Sequence, residues 1–409
     1  GNTWNLEKVE SQMHRRDLIG GELALQLFAI GHRHKYSYFT FSVDERAHVF
    51  QTVPRELVAT ALYGNYTSAG TSTDFDGLRS KGIYLRQYTL GASRVINPSM
   101  KMGIRLKLLF GKSEISTGQT AMALYTHEDN FDLLAAGSYA LNTSLPITVE
   151  QDADGTITAI TWNEINYPSF LLNRANPGIA MDLGIIYRYD PRLTFSASLL
   201  DLGGLRWRSD LNNIRPEGSF VYDAVEYGGD IISTAYLDDF IDSLQNSFDV
   251  SVNQRSYTSL LPTQLYLGAS YQLREKLSLG LVNRNLMLRS KLHSTLTVLA
   301  TADLTERIRG TLSWSYLNNS IKNLGAVLAL GGEGFQFHLS SDNLLGFFQP
   351  FDTRTLNFRM GFNVLFGCPR TRKEELESAS YMGNPLTGNC SWSASQKVRK
   401  KRYRKRDGR

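Results

Sequence analysis

At 409 residues the chain could hold two or three soluble domains or one large barrel, so length alone leaves the architecture open. Its 34 glycines, 20 tyrosines and 20 phenylalanines against 11 prolines and two cysteines suit many strands and tight turns. A mean hydropathy of −0.26 excludes a helical membrane protein, and no run reaches the roughly 18 apolar residues that a spanning helix needs. The net charge of +5 belongs to a tail: Lys397–Arg409 carries nine basic residues and one Asp, which leaves residues 1–396 at −3.

The sequence opens at Gly1 with neither Met nor a charged-then-apolar leader, which reads as a mature or N-terminally shortened form. Strands are read from alternation of apolar and polar residues. The first two fall at 22–31 and 36–45. Pro54–Tyr63 then carries good helix formers behind an early Pro, and Gly64-Asn65 would end that helix. Strands at 83–95 and 100–112 follow; in the second, Met102, Ile104, Leu106, Leu108 and Phe110 share one face, opposite Lys101, Gly103, Arg105, Lys107 and Gly111. Two more lie at 119–126 and 131–142. Glu150–Trp162, around Asp152-Ala153-Asp154-Gly155, reads as a hairpin on Asp-Gly turn chemistry.

Strands at 178–189 and 192–202 come next, the first with Met181, Leu183, Ile185 and Tyr187 on one face and Asp182 and Arg188 on the other. Ile232, Tyr236, Phe240 and Leu244 recur every four residues beside three aspartates. This is the spacing of an amphipathic helix that either plugs a barrel mouth or lies against its own loop. The remaining strands are 263–273, 277–287, 293–302, 307–317, 321–330, 335–341 and 354–366. Charged tight turns such as Asp190-Pro191-Arg192 and Arg274-Glu275-Lys276 join them in pairs.

Runs of about 9 to 11 residues match a tilted membrane-spanning strand, and only a helix or a closed barrel satisfies every backbone group in lipid. The pattern predicts an all-β fold, a transmembrane up-and-down antiparallel β-barrel of about 14 to 16 strands over residues 1–367, with a small helical loop or plug element. Short turns at 32–35, 96–99, 127–130, 190–191, 274–276, 303–306 and 331–334 are expected at one end and long connections at the other. Fifteen strands is an odd number, and an even-stranded barrel then means that one strand is misread or that one lies before Gly1, the second being the favoured reading. Tyr187, Tyr189, Tyr271, Phe195, Phe335, Phe337 and Phe366 form the expected aromatic girdle near the short turns.

Metalloprotease, nucleophile-elbow, phosphate-loop and CxxC motifs are missing from the sequence, so a non-enzyme without metal or cofactor is expected. With the apolar face turned to lipid, Arg105, Lys107, Arg188, Arg284, Arg309 and Arg359 face the lumen, with His338 as a wall residue and Asp182 as the clearest acid. Such cations either select anions, as charged rings do, or pair with acids from elsewhere. Cys368 and Cys390 follow the last strand and form a candidate disulfide. Residues 368–409 are expected to be a disordered basic tail. In an envelope setting such a tail meets anionic lipid or acidic protein, and no nucleic acid is expected as a partner.

Several runs resemble a Bacteroidota family of outer-membrane barrels known only as a domain of unknown function (DUF5723-like). These are Asp74-Phe75-Asp76-Gly77-Leu78, Arg86-Gln87-Tyr88-Thr89-Leu90-Gly91, Leu106-Lys107-Leu108-Leu109-Phe110-Gly111-Lys112, and Ser198-Leu199-Leu200-Asp201-Leu202-Gly203 with Trp207. More distant architectural relatives are fatty-acid-transporter-like barrels and barrels accompanying type IX secretion. The resemblance implies the outer membrane of a Gram-negative bacterium, with the tail in the periplasm and outer-membrane lipid as surroundings. It also implies insertion machinery that reads the closing Phe362-Asn363-Val364-Leu365-Phe366-Gly367, and no enzyme activity. The expected function is transport or channel activity for a small anionic or amphipathic solute. The alternative is a non-catalytic scaffold or partner barrel in an envelope assembly, such as secretion or surface attachment, with envelope proteins as partners.

Overall fold

The computed structural model describes residues 13–366 apart from 14, 64–68, 75–76, 130–131, 152–156, 223–247, 289–290, 318–319, 332–333 and 349–354. In chain order the elements are β1 (Arg16–His34), β2 (Ser37–Pro54), α1 (Arg55–Tyr63), β3 (Ser72–Asp74), β4 (Arg79–Asn97), β5 (Met100–Thr126), β6 (Leu133–Ser144), β7 (Ile147–Gln151) and β8 (Ile157–Trp162). There follow α2 (Tyr167–Leu171), β9 (Asn176–Arg188), β10 (Leu193–Trp207), β11 (Asn213–Tyr222), β12 (Phe248–Asn253), β13 (Tyr257–Leu260) and β14 (Thr263–Arg274). The last are β15 (Leu277–Leu288), β16 (Lys291–Asp303), β17 (Ile308–Leu317), β18 (Ser320–Gly331), β19 (Phe335–Ser341), α3 (Leu345–Phe348) and β20 (Arg359–Val364).

The fold is a β-barrel. Its described wall is a thirteen-strand antiparallel meander in the order β1, β2, β4, β5, β9, β10, then β14 to β20. The tight turn after β9 satisfies its own backbone locally. At Asp190 the side chain accepts from the backbone N–H groups of Arg192 and Leu193 at 2.6 and 2.7 Å, which is Asx-turn chemistry. Among the described residues β1 and β20 are the two ends of the meander, and both run toward the short turns. Running in the same direction, they are not an antiparallel pair.

One expected pair of strands is rearranged. Residues 119–126 are the upper half of β5, a continuous strand of 27 residues, so the turn at 127–130 lies at the long-loop end. The run Ser113-Glu114-Ile115-Ser116-Thr117 keeps strand alternation through its polar residues, which hid the continuity. Met100–Gly111 pairs with β4 and β9 in the wall, while Glu114–Thr126 rises above it and pairs with β6. β6 carries on to β11 and β12, so the segment between the strands expected at 192–202 and 263–273 contributes sheet as well. The Asp-Gly hairpin is β7 paired with β8, its turn residues outside the described set; the helix read at 232–244 and both cysteines also lie outside it.

Outward-facing apolar residues stay exposed all round the wall, among them Leu90, Leu106, Leu183, Leu267, Leu312 and Phe362. An apolar surface of that extent is incompatible with water and matches a hydrocarbon layer. Tyr187, Tyr189, Phe195, Tyr271 and Phe335 are exposed at the short-turn end. Tyr88 and Phe110 pack edge to face ten residues further up β5. With a tilted strand rise this separates the two aromatic levels by about 25 Å, the height of a barrel's apolar band.

β9 and β10 approach so closely near their upper ends that glycine is required. A Cβ on Gly203 would lie 2.5 Å from the Ala180 Cα, whereas one on Gly184 would meet nothing nearer than 3.9 Å. Gly203→Ala is therefore expected to destabilise the folded barrel by about 1–3 kcal/mol, and Gly184→Ala by no more than about 0.5 kcal/mol. Urea titration of the compact, fast-migrating band on unheated gels measures both; equal midpoints would contradict the close approach.

Candidate functional site

The site begins with a break in strand parity. β10 pairs Leu199 with Leu183 and then Leu202 with Met181, so Leu200 and Asp201 together oppose the single residue Asp182. This β-bulge puts Asp201 at φ +60°, a left-handed conformation that Asp tolerates better than most side chains. The Asp201 N–H is held by Asp182 Oδ1 at 2.8 Å. One extra residue reverses the faces above it. Below the bulge Ser196 and Ser198 face the lumen; above it Leu205 and Trp207 do, and both are buried.

Asp201 is the centre of an ionic bridge across the lumen. Lys107 Nζ lies 2.7 Å from Asp182 Oδ1 and 2.5 Å from Asp201 Oδ1. Arg46 Nη1 reaches Asp201 at 2.9 and 3.0 Å from β2, four strands round the wall from β10, so its side chain spans the interior. Arg105 Nη2 closes on Asp182 Oδ2 at 2.6 Å. Beside them Asp44 accepts from Gln26, Ser42 and Gln87 at 3.0, 2.8 and 3.2 Å. On the other side of the lumen Arg284 Nη2 lies 3.6 Å from Glu22 Oε1, and its Nε donates to Gln264 Oε1 at 3.0 Å. Four cations thus share a layer with the carboxylates of Glu22, Asp44, Asp182 and Asp201.

An apolar layer sits directly above. Trp207 and Leu109 are fully buried, packed with Ile83, Leu85, Ala180, Leu205, Leu211 and Leu261. The indole N–H donates to Ser259 Oγ at 2.9 Å, and the bare backbone at Gly111 makes room for the ring. Above this cluster a second buried ion pair joins Lys81 to Glu114. The lumen on the β2–β10 side is therefore filled by side chains of the wall and of the segments that follow β10.

Of the inward cations expected from sequence, Arg105 and Lys107 meet Asp182 in the bridge, and Arg284 crosses to Glu22. Arg309 pairs instead with Asp303 at 2.6 Å, and Arg359 with Asp342 at 3.1 Å, so both stand apart from it. Arg188 sits near the short turns with a partner of its own. His338 occupies the space over Gly361 as a wall residue. The structure shows pairing with acids, the second of the two arrangements expected for these cations.

Sequence reading missed Glu22, Asp44, Arg46 and Trp207 as inward groups. The charged triplet Asp44-Glu45-Arg46 inside a strand was the available signal, as was Asp201 within Leu199-Leu200-Asp201-Leu202. Among the described residues no cluster of His, Cys, Asp and Glu is arranged to hold a metal ion, and no helix is long and apolar enough to cross a membrane.

An antiparallel wall with an apolar exterior and a polar, side-chain-filled lumen defines a transmembrane β-barrel protein. The chain belongs to the family described as a family of unknown function, DUF5723, whose model matches residues 2–342. No curated protein matches it. Similar solved structures include the Ralstonia pickettii toluene transporter TbuX, at 10% identity over 77% of this chain and 75% of that one, with a TM-score of 0.35. A Pseudomonas aeruginosa FadL homologue follows at 13% identity over 79% and 68%, with a TM-score of 0.34. The P. putida toluene transporter TodX is 9% identical over 83% and 85%, with a TM-score of 0.31.

Removing the Asp201 charge leaves Arg46 and Lys107 short of a counter-charge inside the lumen, whereas removing the half-exposed Arg105 leaves buried Asp182 still paired with Lys107. Asp201→Asn is accordingly expected to cost about 3–5 kcal/mol, and Arg105→Ala about 1 kcal/mol or less. Adding Lys107→Met to Asp201→Asn should recover part of the loss. Urea unfolding in lipid vesicles provides the comparison; equal effects of Asp201→Asn and Arg105→Ala would contradict a buried bridge.

Proposed function

We propose that this protein is an outer-membrane barrel that moves a small amphipathic solute through a lumen that is closed at rest. The reading rests on one juxtaposition: a buried apolar cluster around Trp207 and Leu109 lies directly on a charge-balanced polar layer around Asp201. An apolar surface with a few convergent polar groups is the usual make-up of a small-molecule site. An amphipathic solute offers both halves, one to each layer. A net anion gains less, because the carboxylates already neutralise the cations and remove the field that would attract it.

Wild-type protein in planar bilayers is expected to conduct ions only weakly. Trp207→Ala and Arg46→Ala, with folding verified by the compact gel band, are expected to raise conductance, each by removing one of the two barriers. Vesicles containing wild-type protein should also take up a fluorescent amphiphile faster than protein-free vesicles. A large steady anion-selective conductance in the wild type, unchanged in both variants, would overturn the closed-lumen reading. Amphiphile uptake equal to that of empty vesicles would favour the scaffold role, for which a filled lumen is equally suited.

A further inference from the structure

A second group of charges lies on the outside of the wall, away from the lumen. In β4 the residues Tyr84, Arg86, Tyr88 and Leu90 share the lipid-facing side, and Leu90 is 63% exposed. Arg86 Nε pairs with Glu45 Oε1 on the same outer face at 2.5 Å. Next to it β5 has its own bulge: Gly111 pairs with Leu85 and Ser113 with Tyr84, which leaves Lys112 as the extra residue. Lys112 points outward and yet is buried, because the segment after α2 covers it and its Nζ donates to the Asn173 carbonyl at 2.7 Å. Arg174, one residue on, lies 6.0 Å over the Phe110 ring. Three cations are thus gathered on a lipid-facing surface around one carboxylate, and among the described residues neither Lys112 nor Arg174 pairs with an acid.

The place of this cluster says what would neutralise it. Phe110, Tyr88 and Tyr84 with Phe170 form the upper aromatic level, about 25 Å from the lower one, where lipid headgroups begin. The segment that covers Lys112 exposes Trp162, Tyr167, Leu171 and Leu172, the residues of an element resting in an interface. Below the cations Leu106 and Leu108 present bare aliphatic wall, suited to acyl chains.

We propose that Arg86, Lys112 and Arg174 form a site for the phosphate of a membrane-lipid headgroup. Two guanidinium groups and an ammonium supply charge-assisted hydrogen bonds to phosphate oxygens, strengthened by the surrounding hydrocarbon. The site is independent of the transport reading, since it faces lipid and shares no residue with the lumen bridge.

The test uses the full-length refolded chain in non-ionic detergent, offered monophosphoryl lipid A or the same lipid without its phosphate, with native mass spectrometry counting retained lipid. Wild-type protein should retain the phosphorylated lipid preferentially. Arg174→Ala, an exposed position that leaves folding intact, and Lys112→Met should each weaken retention about tenfold. Arg274→Ala, at the opposite end of the barrel, should leave it unchanged. Equal retention of the two lipids, or wild-type retention by Arg174→Glu, overturns the proposal. Displacement by millimolar inorganic phosphate as complete as by excess lipid also overturns it, because the site would then hold a free ion and not a headgroup.

Discussion

Every backbone N–H and C=O in the lipid-facing wall must find a partner in a neighbouring strand, because hydrocarbon offers none. The antiparallel ladder meets that demand, and in doing so leaves each side chain only two directions, toward lipid or toward the lumen. All the chemistry described here follows from which residues fall on which side. Leu90, Leu106 and Leu183 outside and Lys107, Gln87 and Asp182 inside are the direct result of period two in three strands.

The functional features sit where that alternation is interrupted. At Leu199–Leu202 an extra residue brings Asp201 into the lumen and turns Leu205 and Trp207 inward with it, so one bulge builds both the ionic bridge and the apolar layer above it. At Gly111–Ser113 another sends Lys112 outward among lipid-facing aromatics. A bulge is a cheap way to re-aim side chains, since the ladder resumes on either side of it. The bridge itself adds little net stability, as desolvation of its charges largely offsets their attraction. What it contributes is a fixed arrangement: Arg46 and Arg284 are held across the interior and not along the wall.

Balance of charge separates the two sites. In the lumen Glu22, Asp44, Asp182 and Asp201 match the cations, which leaves a polar but nearly neutral layer beside buried apolar groups. On the outer wall Glu45 answers Arg86 while, among the described residues, Lys112 and Arg174 remain in excess. The two proposals differ accordingly: an amphipathic solute for the neutral layer, and an anion supplied by the surroundings for the unbalanced one.

The sequence by itself determined the membrane β-barrel, the place of the tight turn at Asp190 and the shared phase of Arg105 and Lys107 along their strand, because each depends on local spacing. It also showed long connections gathered at one end, with one exception. β5 continues unbroken through Ser113–Gly118, where four polar residues and a glycine interrupt the apolar alternation from which strands were read. Only the tertiary structure decided that Arg46 meets Asp201, that Arg309 and Arg359 pair elsewhere, and that Trp207 fills the lumen. Those outcomes depend on contacts between strands far apart in sequence and on bulges that reverse parity without altering composition. An inward phase can be counted along a strand, but the partner across the barrel can be found only once the wall has curved to face itself.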